Sequence, residues 1–516
     1  MKYITTPIYY VNDKPHIGHA YTSIAADVIA RFYRIFARTE NVMFLTGTDE
    51  HGQKVQKSAE KLNINTQDFC NEISSQFRNL KDTLNLSYNY FIRTTDENHK
   101  QTVLKMWQLL EEKGYIYKSF YKGWYSQKDE AFIPDNEVND GKDQNGNSLE
   151  FLKEESYFFK LSAFQDKLLN FYKSHPDFIK PSSYMKEVES FVKSGLKDLS
   201  ISRTSFTWGI PVTKDPKHVI YVWLDALCNY ISAINYLGSD PSKIEYSEHA
   251  KEYWDESIHL LGKDILKFHA VYWPAFLMAA EINPPKQLFV HGWWTVDGQK
   301  MSKSLGNTVD PIQIVNKYGC DEFRYFLFKE SNFGYDCNFS ENGFVDKINY
   351  DLCNDYGNLV HRVLTLANKV AINGIFKLSR SFDLSKNIDS EISSKTIKLK
   401  ETLKKYINDG LLTEYLKAVF DIISIANKYV NTTEPWKLIK TDLQKFNDVI
   451  SELIKVIIDI SIFLYPFIPE SAKKALSFVG ISEINENVLN TIYEGLPLEK
   501  PTPIFNKIDN KKVNNG

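Results

Sequence analysis

The sequence has few cysteines, no long apolar run and almost no net charge. Its five cysteines are odd in number and scattered over 516 residues, which indicates reduced thiols and not a disulfide framework. No apolar run reaches membrane-spanning length and no signal-peptide pattern opens the chain, so a cytoplasmic protein without a membrane partner is expected. The net charge of −3 does not indicate a nucleic-acid binder, although a local basic surface remains compatible with one.

Length and patterning predict a large α/β protein with several parts. A hydrophobic fraction of 43% and an aromatic fraction of 14% exclude a mainly disordered chain, and 516 residues can form two to four units with separate cores. Strand-like and helical runs alternate, the pattern of a Rossmann-like parallel sheet, and this pattern is interrupted by aromatic-rich short strands. The predicted boundaries are a catalytic domain in two halves (1–115 and 217–338), an inserted connective domain (116–216), a helical bundle (339–505) and a polar tail (506–516).

The first chemical motif is PHIGH, Pro15 to His19. It follows an apolar strand and turn-forming residues and opens a segment of helical period, so His16 and His19 lie at a helix N-terminus on one face. The N-terminus of a helix attracts phosphate, and the two imidazoles can donate hydrogen bonds to phosphate oxygens. Gly18, which lacks a Cβ atom, allows a flat purine to approach the backbone. On its own the motif is weak, because a helix cap with a stray histidine has the same pattern.

The second motif is KMSKS, Lys300 to Ser304. Lys300 and Lys303 stand among serines and glycines, which is the composition of a mobile loop. A loop of this kind can close on a triphosphate and place two ammonium groups against the charge that develops on departing pyrophosphate. A solvated lysine run is the plainer interpretation of such a cluster. The two motifs in one chain, however, resemble the signature pair of class I aminoacyl-tRNA synthetases.

Four further stretches make the chain similar, from end to end, to the methionyl-tRNA synthetases: TGTDEHG (46–52), YVWLDA (221–226), GKDILKFH (262–269) and NTTEPW (431–436). The resemblance implies methionine–tRNA ligation from ATP, with Mg²⁺ carried by the ATP, and a helical domain that binds the anticodon of tRNA(Met). It implies a methionine site formed by Pro7, Ile8, Tyr10, Asp49, Trp223, Ala226, Tyr230, Ile265 and His269. It also implies an ATP-binding site formed by His16, Gly18, His19, Gly262, Asp264, Lys300 and Lys303. Within this site the two histidines and the two lysines are implied to be catalytic.

The residue types suit these roles. A carboxylate such as Asp49 can hold an α-ammonium, and aromatic rings such as Trp223 favour a thioether. Isolated aromatics are more often ordinary core, and Asp225 and Asp264 can equally be helix caps or members of ion pairs. The resemblance further assigns Asn358, Arg362 and Trp436 to the anticodon, which fits the stacking of unpaired bases on aromatic rings; alternatively, Trp436 only staples a helix start.

Two departures from the family pattern add expectations. Many members carry cysteine zinc knuckles in the insert, whereas residues 115–216 contain no cysteine and His175 and His218 lack knuckle spacing, so no structural zinc is expected. The chain ends soon after the helical part, which favours a monomer. Two alternatives stay open: a class I synthetase for another aliphatic amino acid, for which the insert is short, and an inactive tRNA-binding paralogue.

Overall fold

The computed structural model describes residues 1–12, 14–36, 41–126, 131–133, 137–143, 146–296, 298–301, 308–330, 332–379, 391–491 and 493–509. The chain forms two compact units. The first comprises residues 1–15, 43–79 and 88–290, and the second comprises residues 16–42, 80–87 and 291–516.

The first unit is organised around a seven-stranded sheet. Its strands are β1 (Lys2–Thr5), β2 (Tyr9–Tyr10), β3 (Val42–Asp49), β4 (Tyr90–Arg93), β8 (Ile179–Lys180), β13 (Ser257–Gly262) and β14 (Gln287–His291). The order is β2-β3-β1-β13-β14-β8, with β4 also paired to β3. The pairs β1–β13, β2–β3, β3–β4 and β14–β8 are parallel, so the predicted parallel sheet is confirmed.

Local sequence explains two features of this sheet. The apolar run from Ile4 to Val11 forms two short strands because Pro7, which lacks an amide proton, interrupts the ladder between them. At Gly47 in β3, a Cβ atom would lie 2.0 Å from the carbonyl oxygen of Ile92 in β4. A glycine is therefore required for β3 and β4 to pair at this spacing.

The segment 116–216 contributes a second sheet and one strand of the first. β5 (Ile116–Ser126), β6 (Ala131–Ile133), β7 (Glu150–Phe159) and β9 (Leu199–Ser200) form the antiparallel sheet β6-β5-β7-β9. The strand Ile179–Lys180 pairs instead with the strand Gln287–His291 of the large sheet. A third sheet has the order β10-β12-β11, formed by β10 (Ser202–Arg203), β11 (Pro211–Val212) and β12 (Asp215–Ile220).

Helices complete the first unit. They are α2 (Gln53–Lys61), α3 (Thr66–Thr83, ending in the second unit), α4 (Glu97–Glu112), α5 (Gln165–Ser174), α6 (Ser182–Lys193), α7 (Val222–Leu227), α8 (Asn229–Ser232), α9 (Glu248–Trp254) and α10 (Trp273–Ala279). One hydrophobic cluster runs from Tyr3 to Val290, and the half-buried side chains of Ile8, Trp223 and Ile265 pack against it.

The second unit is mainly helical. It begins with α1 (Ile17–Phe36), whose buried residues recur with helical period. The other helices are α11 (Pro311–Tyr318), α12 (Cys320–Lys329), α13 (Glu341–Lys347), α14 (Asn358–Asn368), α15 (Glu391–Asn408), α16 (Leu412–Thr433), α17 (Pro435–Thr441), α18 (Leu443–Leu464), α19 (Pro469–Ser477) and α20 (Glu486–Asn490), with a π-helical stretch at Ile348–Gly357. β15 (Trp294–Val296), β16 (Gln299–Lys300) and β17 (Cys337–Phe339) form a small sheet, and β18 (Ile375–Lys377) pairs with β19 (Gly495–Pro497). The predicted helical C-terminal part is confirmed.

The apolar segment near the C-terminus is an interior helix. α18 is buried along most of its length, and it carries a buried ion pair between Lys455 and Asp459. Among the residues that the structure describes, no helix combines the length and the apolarity needed to cross a membrane.

A buried cluster of charges holds α1 within the second unit. The Asp27 carboxylate lies 2.7 Å from both Arg31 Nε and Arg324 Nη2, and its other oxygen accepts from the Ser87 backbone N–H at 2.6 Å. Arg324 also donates to the carbonyl of Phe467 at 2.8 Å. Burial acts to raise the pKa of Asp27, but the attraction of the two arginines and the donated hydrogen bonds outweigh it, so the pKa lies below its usual value.

We expect Asp27→Ala to lower the free energy of unfolding by about 3–5 kcal/mol, because two guanidinium groups lose their buried counter-charge. Chemical denaturation at pH 7 measures the change. Because the pKa of Asp27 is lowered on folding, its contribution is fully present above the ordinary carboxyl pKa of about 4 and is lost as the pH falls through the lower folded value.

The control is Glu189→Ala, which removes the half-buried partner of the exposed Lys193. This surface ion pair is expected to contribute less than about 1 kcal/mol. Equal effects of the two substitutions would contradict the structural role given to Asp27.

Candidate functional site

His16, Gly18 and His19 lie at the start of α1, in the second unit. His16 directly precedes the helix, and its ring centroid lies 3.8 Å from that of His19. A Cβ atom on Gly18 would lie 2.9 Å from Cε1 of His16. The glycine therefore leaves room for the His16 ring at the helix N-terminus.

The hydrogen bonds of these two histidines define which ring nitrogen carries the proton. His16 Nδ1 accepts from the Gly18 backbone N–H at 3.0 Å, and His19 Nδ1 accepts from the His16 backbone N–H at 3.1 Å. In each neutral ring Nε2 is consequently the donor. Burial and the neighbouring His16 hold the pKa of His19 well below its usual value, so this ring is neutral at pH 7. The pair can donate to phosphate oxygens without adding charge.

The described residues on either side of the second motif contact the same helix. Lys300 is in β16, opposite Thr295 of β15, whereas Lys303 lies outside the described residues. Where the description resumes after the motif, the Val309 carbonyl accepts from the Ile17 backbone N–H at 3.1 Å. On the strand side, the Trp294 ring lies 5.4 Å from that of Tyr21, in the second turn of α1. Both flanks of the KMSKS segment therefore contact the helix that the PHIGH motif opens.

The residues expected to bind methionine all belong to the first unit. Tyr10 and Asp49 are paired across β2 and β3, and the Val11 backbone N–H donates to the Asp49 carbonyl at 3.1 Å. Asp49 ends β3 and is 8% exposed. A carboxylate at the end of a parallel strand, largely shielded from water, suits an ammonium ligand.

The residue after Asp49 is fixed by a buried ion pair. Glu50 is fully buried, and its carboxylate oxygens accept from Arg93 Nε at 2.7 Å and Arg93 Nη2 at 3.0 Å. Thr48 and Thr95 donate to the same carboxylate at 2.9 and 2.5 Å. With these donors in place, the Glu50 carboxylate is satisfied by groups of the protein itself.

Trp223 and its neighbours form an apolar wall. Trp223, on α7, stacks on Phe268 with ring centroids 3.6 Å apart and planes 8° apart. Ala226 is buried on the same helix, and Ile265 and Ile8 are half-buried beside the main core. Flat rings and short aliphatic groups of this kind are good contacts for a flexible thioether.

Tyr230 and His269 form a buried polar pair. His269 Nδ1 lies 3.0 Å from the Ile265 carbonyl, which can only accept, so Nδ1 carries the ring proton. Burial lowers the pKa of His269 to about 4, so the ring is neutral and Nε2 accepts from the Tyr230 hydroxyl at 2.8 Å. The hydroxyl proton of Tyr230 is committed to His269, and the pair needs no hydrogen bond from a bound side chain.

The other predicted residues of the first unit lie on the same strand ends. Pro7 and Ile8 are half-buried between β1 and β2, and the Pro7 carbonyl accepts from the Thr6 hydroxyl at 2.9 Å. Gly262 ends β13, and Asp264 is exposed in the 3₁₀ turn Lys263–Ile265 that follows. An exposed carboxylate after a parallel strand can accept from ribose hydroxyls.

The three predicted anticodon residues meet on one surface of the second unit. Asn358 and Arg362 are one turn apart on α14, and Asn358 is exposed. The Arg362 guanidinium lies 5.8 Å from the centroid of the Trp436 ring, and its Nη2 donates to Asn431 Oδ1 at 3.0 Å. Trp436 is near the start of α17 and 39% exposed. A ring of this exposure beside a guanidinium can stack with an unpaired base.

One group in the described part of the chain has the spacing of metal ligands: Glu155, Asp215 and His218. Lys118 Nζ lies 3.0 Å from Glu155 and 2.8 Å from Asp215, and Lys217 Nζ lies 2.7 Å from Glu155. Hydrogen bonds from Lys217, Lys118 and His218 lower the pKa of Glu155 to about 2. The carboxylates thus form an ion-pair network with lysines, and the expectation of no structural zinc stays a prediction.

Sequence reasoning did not single out the polar residues that support the site. Glu50 and His51 lie within the TGTDEHG stretch, which assigns them no role, and Arg93 and His99 lie outside every motif. Their partners are far away in sequence, as with Glu50 and Arg93, 43 positions apart. Residues so far apart in the sequence leave no local pattern that would predict their contact. The one feature that could have drawn attention to them is the run Asp49, Glu50 and His51 at a strand end.

The comparisons with known proteins cover almost the whole chain. The family described as "tRNA synthetases class I (M)" matches residues 2–142 and 142–364, and the "Anticodon binding domain of methionyl tRNA ligase" matches residues 390–515. The methionine–tRNA ligase of Rickettsia conorii is 48% identical, with 98% of this chain and 99% of the relative covered. That of Rhizobium meliloti is 44% identical, with 98% and 97% covered.

A solved structure agrees with these relatives. The methionyl-tRNA synthetase of Mycobacterium tuberculosis, in complex with methionyl-adenylate, superposes with a TM-score of 0.92 at 39% identity, covering 98% of this chain and 100% of that one. Matching family profiles, full-length relatives and a shared fold lead to one conclusion: the chain belongs to the methionyl-tRNA synthetases, a family of class I aminoacyl-tRNA synthetases.

Proposed function

We propose that this chain joins L-methionine to tRNA(Met) in two steps, using the residues located above. Asp49 binds the α-ammonium of methionine, and Pro7, Ile8, Tyr10, Trp223, Ala226, Tyr230, Ile265 and His269 surround its side chain. His16, Gly18, His19, Lys300 and Lys303 bind the phosphates of ATP, and Gly262 and Asp264 bind its ribose. ATP enters with Mg²⁺ as part of the substrate.

The first step is adenylate formation. An oxygen of the methionine carboxylate attacks the α-phosphorus of ATP, a new P–O bond forms, and the bond to pyrophosphate breaks. The reaction requires no nucleophile from the protein, so the chain contributes orientation and charge stabilisation. Neutral His16 and His19 donate from Nε2, whereas the lysine ammonium groups balance the negative charge that develops on the leaving pyrophosphate.

The second step is acyl transfer. A hydroxyl of the terminal ribose of the tRNA attacks the carbonyl carbon of methionyl-adenylate, and AMP leaves with the bonding electrons. Asn358, Arg362 and Trp436 select the tRNA by its anticodon, where an unpaired base stacks on the indole ring and base edges accept or donate hydrogen bonds.

The observation that supports this proposal most directly is the Ile17–Val309 hydrogen bond. It ties Val309, which follows the KMSKS motif in the chain, to the first residue of the helix that presents His16 and His19. A helix N-terminus with two imidazole donors, joined to a lysine-rich segment, is an arrangement suited to a triphosphate and not to a passive helix cap.

The same proposal assigns roles to parts of the chain. Residues 1–115 and 217–338 form the catalytic domain, 116–216 the connective insertion and 339–505 the anticodon-binding domain. The separate four-stranded sheet β6-β5-β7-β9 supports the insertion, and the helices from Glu341 onward support the last domain. A cytoplasmic location fits substrates that belong to translation, and the monomeric state stays a prediction for a mass measurement in solution.

ATP–pyrophosphate exchange without tRNA tests the proposed function. Methionine, isoleucine, leucine, valine and cysteine are offered separately to the full chain. We expect exchange with methionine at least about 100-fold above the others, since pocket discrimination between aliphatic side chains of different shape amounts to a few kcal/mol.

Preference for isoleucine, leucine or valine would overturn the methionine site while leaving the class I chemistry intact. A folded protein that binds tRNA but exchanges with none of the five would identify the inactive paralogue instead.

We expect Trp436→Ala to lower kcat/KM for tRNA charging roughly 10- to 100-fold, because stacking of one base on an aromatic ring contributes about 1–3 kcal/mol. ATP–pyrophosphate exchange, which needs no tRNA, should stay within about twofold of the unsubstituted protein.

Two controls accompany Trp436→Ala. Trp436→Phe keeps a ring for stacking and should retain most of the charging activity. Tyr246→Ala removes another exposed aromatic ring, one in the first unit, and should leave charging unchanged. A parallel loss of exchange in Trp436→Ala would mean that the ring is structural.

A further inference from the structure

Asp225 is a fully buried carboxylate that the reaction itself does not use. It lies on α7 between Trp223 and Ala226. Its Oδ2 is 2.6 Å from Nδ1 of His51, and its Oδ1 is 2.6 Å from Nε2 of His99. Both carboxylate oxygens are thus occupied by imidazole nitrogens, one from the segment after β3 and one from α4.

The charge on Asp225 is maintained by these contacts. Burial acts to raise its pKa, but the two histidines outweigh burial and lower the pKa to about 2. An ionised carboxylate only accepts, so His51 donates from Nδ1 and His99 donates from Nε2. His51 and His99 are 4% and 0% exposed, so water scarcely competes for these hydrogen bonds.

Asp225 connects the two halves of the proposed methionine site. His51 stands two residues after Asp49, the proposed ammonium ligand, and Asp225 stands two residues after Trp223, which belongs to the side-chain wall. The Asp225 carboxylate therefore links the strand end that carries Asp49 to the helix that carries the apolar residues Trp223 and Ala226. The distance between these two parts has to match the length of one amino acid.

Helix α4 contributes further hydrogen bonds to the same network. The other ring nitrogen of His99 lies 3.1 Å from the Ser232 hydroxyl, and Asn98 donates to the Ser232 carbonyl at 3.1 Å. Ser232 ends α8, the short helix that carries Tyr230. The wall residues on α7 and α8 are consequently both fixed to α4 through buried polar contacts.

A carboxylate is the group that this position requires. An asparagine would present its NH₂ group to one of two N–H donors, and an apolar residue would leave both donors buried without an acceptor. Glu50 forms a separate ion pair with Arg93, and His51 hydrogen-bonds to Asp225, so the residues on both sides of the Glu50–His51 peptide bond are held by side-chain contacts. A binding site holds its geometry when the residues that contact the ligand are themselves fixed by hydrogen bonds from neighbouring residues.

We propose that Asp225 is a positioning residue for methionine: through His51 and His99 it fixes the separation between Asp49 and the wall formed by Trp223 and Ala226. The inference rests on the methionine site given under Proposed function. It predicts that loss of the contact changes the affinity for methionine selectively, because ATP phosphates are bound by other residues.

The test compares Asp225→Asn with the unsubstituted full chain in ATP–pyrophosphate exchange. We expect the KM for methionine to rise about 10-fold or more, with the KM for ATP within about twofold, since small displacements in a site can cost up to 100-fold. Asp459→Asn is the matched control: it also neutralises a buried carboxylate, the partner of Lys455 in α18, and should leave both KM values unchanged.

A second pair of variants applies even where Asp225→Asn does not fold. His99→Gln places an amide N–H close to the position of Nε2 and should retain most of the methionine affinity, whereas His99→Leu offers no donor and should raise the methionine KM. Thermal unfolding of each variant separates lost affinity from lost folding.

Three results would overturn the inference. They are an unchanged methionine KM in folded Asp225→Asn, an equal rise of the methionine and ATP KM values, and equal methionine KM values in His99→Gln and His99→Leu. A failure of the proposed function is recognised separately, because the unsubstituted protein would then show no exchange with methionine.

Discussion

The first unit depends on the buried contacts that hold the strand end at Asp49, a carboxylate that is only 8% exposed. Burying a polar group costs free energy unless hydrogen bonds compensate it, so the side chains packed around this strand end have to be held in place. The residues after Asp49 meet this need: Glu50 is paired with Arg93, and His51 with Asp225. The apolar wall on α7 is fixed by the same contacts.

In the second unit, the end of α1 that is predicted to bind phosphate carries two imidazole donors. His16 and His19 each accept a backbone N–H at Nδ1, so Nε2 is the donor in both rings. The helix that carries them is anchored by buried Asp27, which is paired with two arginines. Both units thus use buried carboxylates with fixed hydrogen-bond partners to hold the elements that carry the predicted site residues.

The sequence predicts the parallel sheet, the helical C-terminal part and the PHIGH motif at a helix start, because these depend on local periodicity and on short motifs. It does not predict the break at Pro7 within the first apolar run, nor the pairing of Ile179–Lys180 with the large sheet. The support of Asp49 was also out of reach, since Asp225 and His51 are 174 positions apart. Such contacts follow from tertiary packing and leave no periodic signal.

The most direct test of this account measures the binding of methionine and of its deaminated analogue, which keeps the thioether and the carboxylate, by calorimetry. The unsubstituted protein should prefer methionine by about 100-fold or more, and Asp49→Asn should lose most of that preference, because truncating a buried charge pair costs about 2–5 kcal/mol. If Asp49→Asn keeps the full preference, the ammonium is bound elsewhere and the account of the site is wrong.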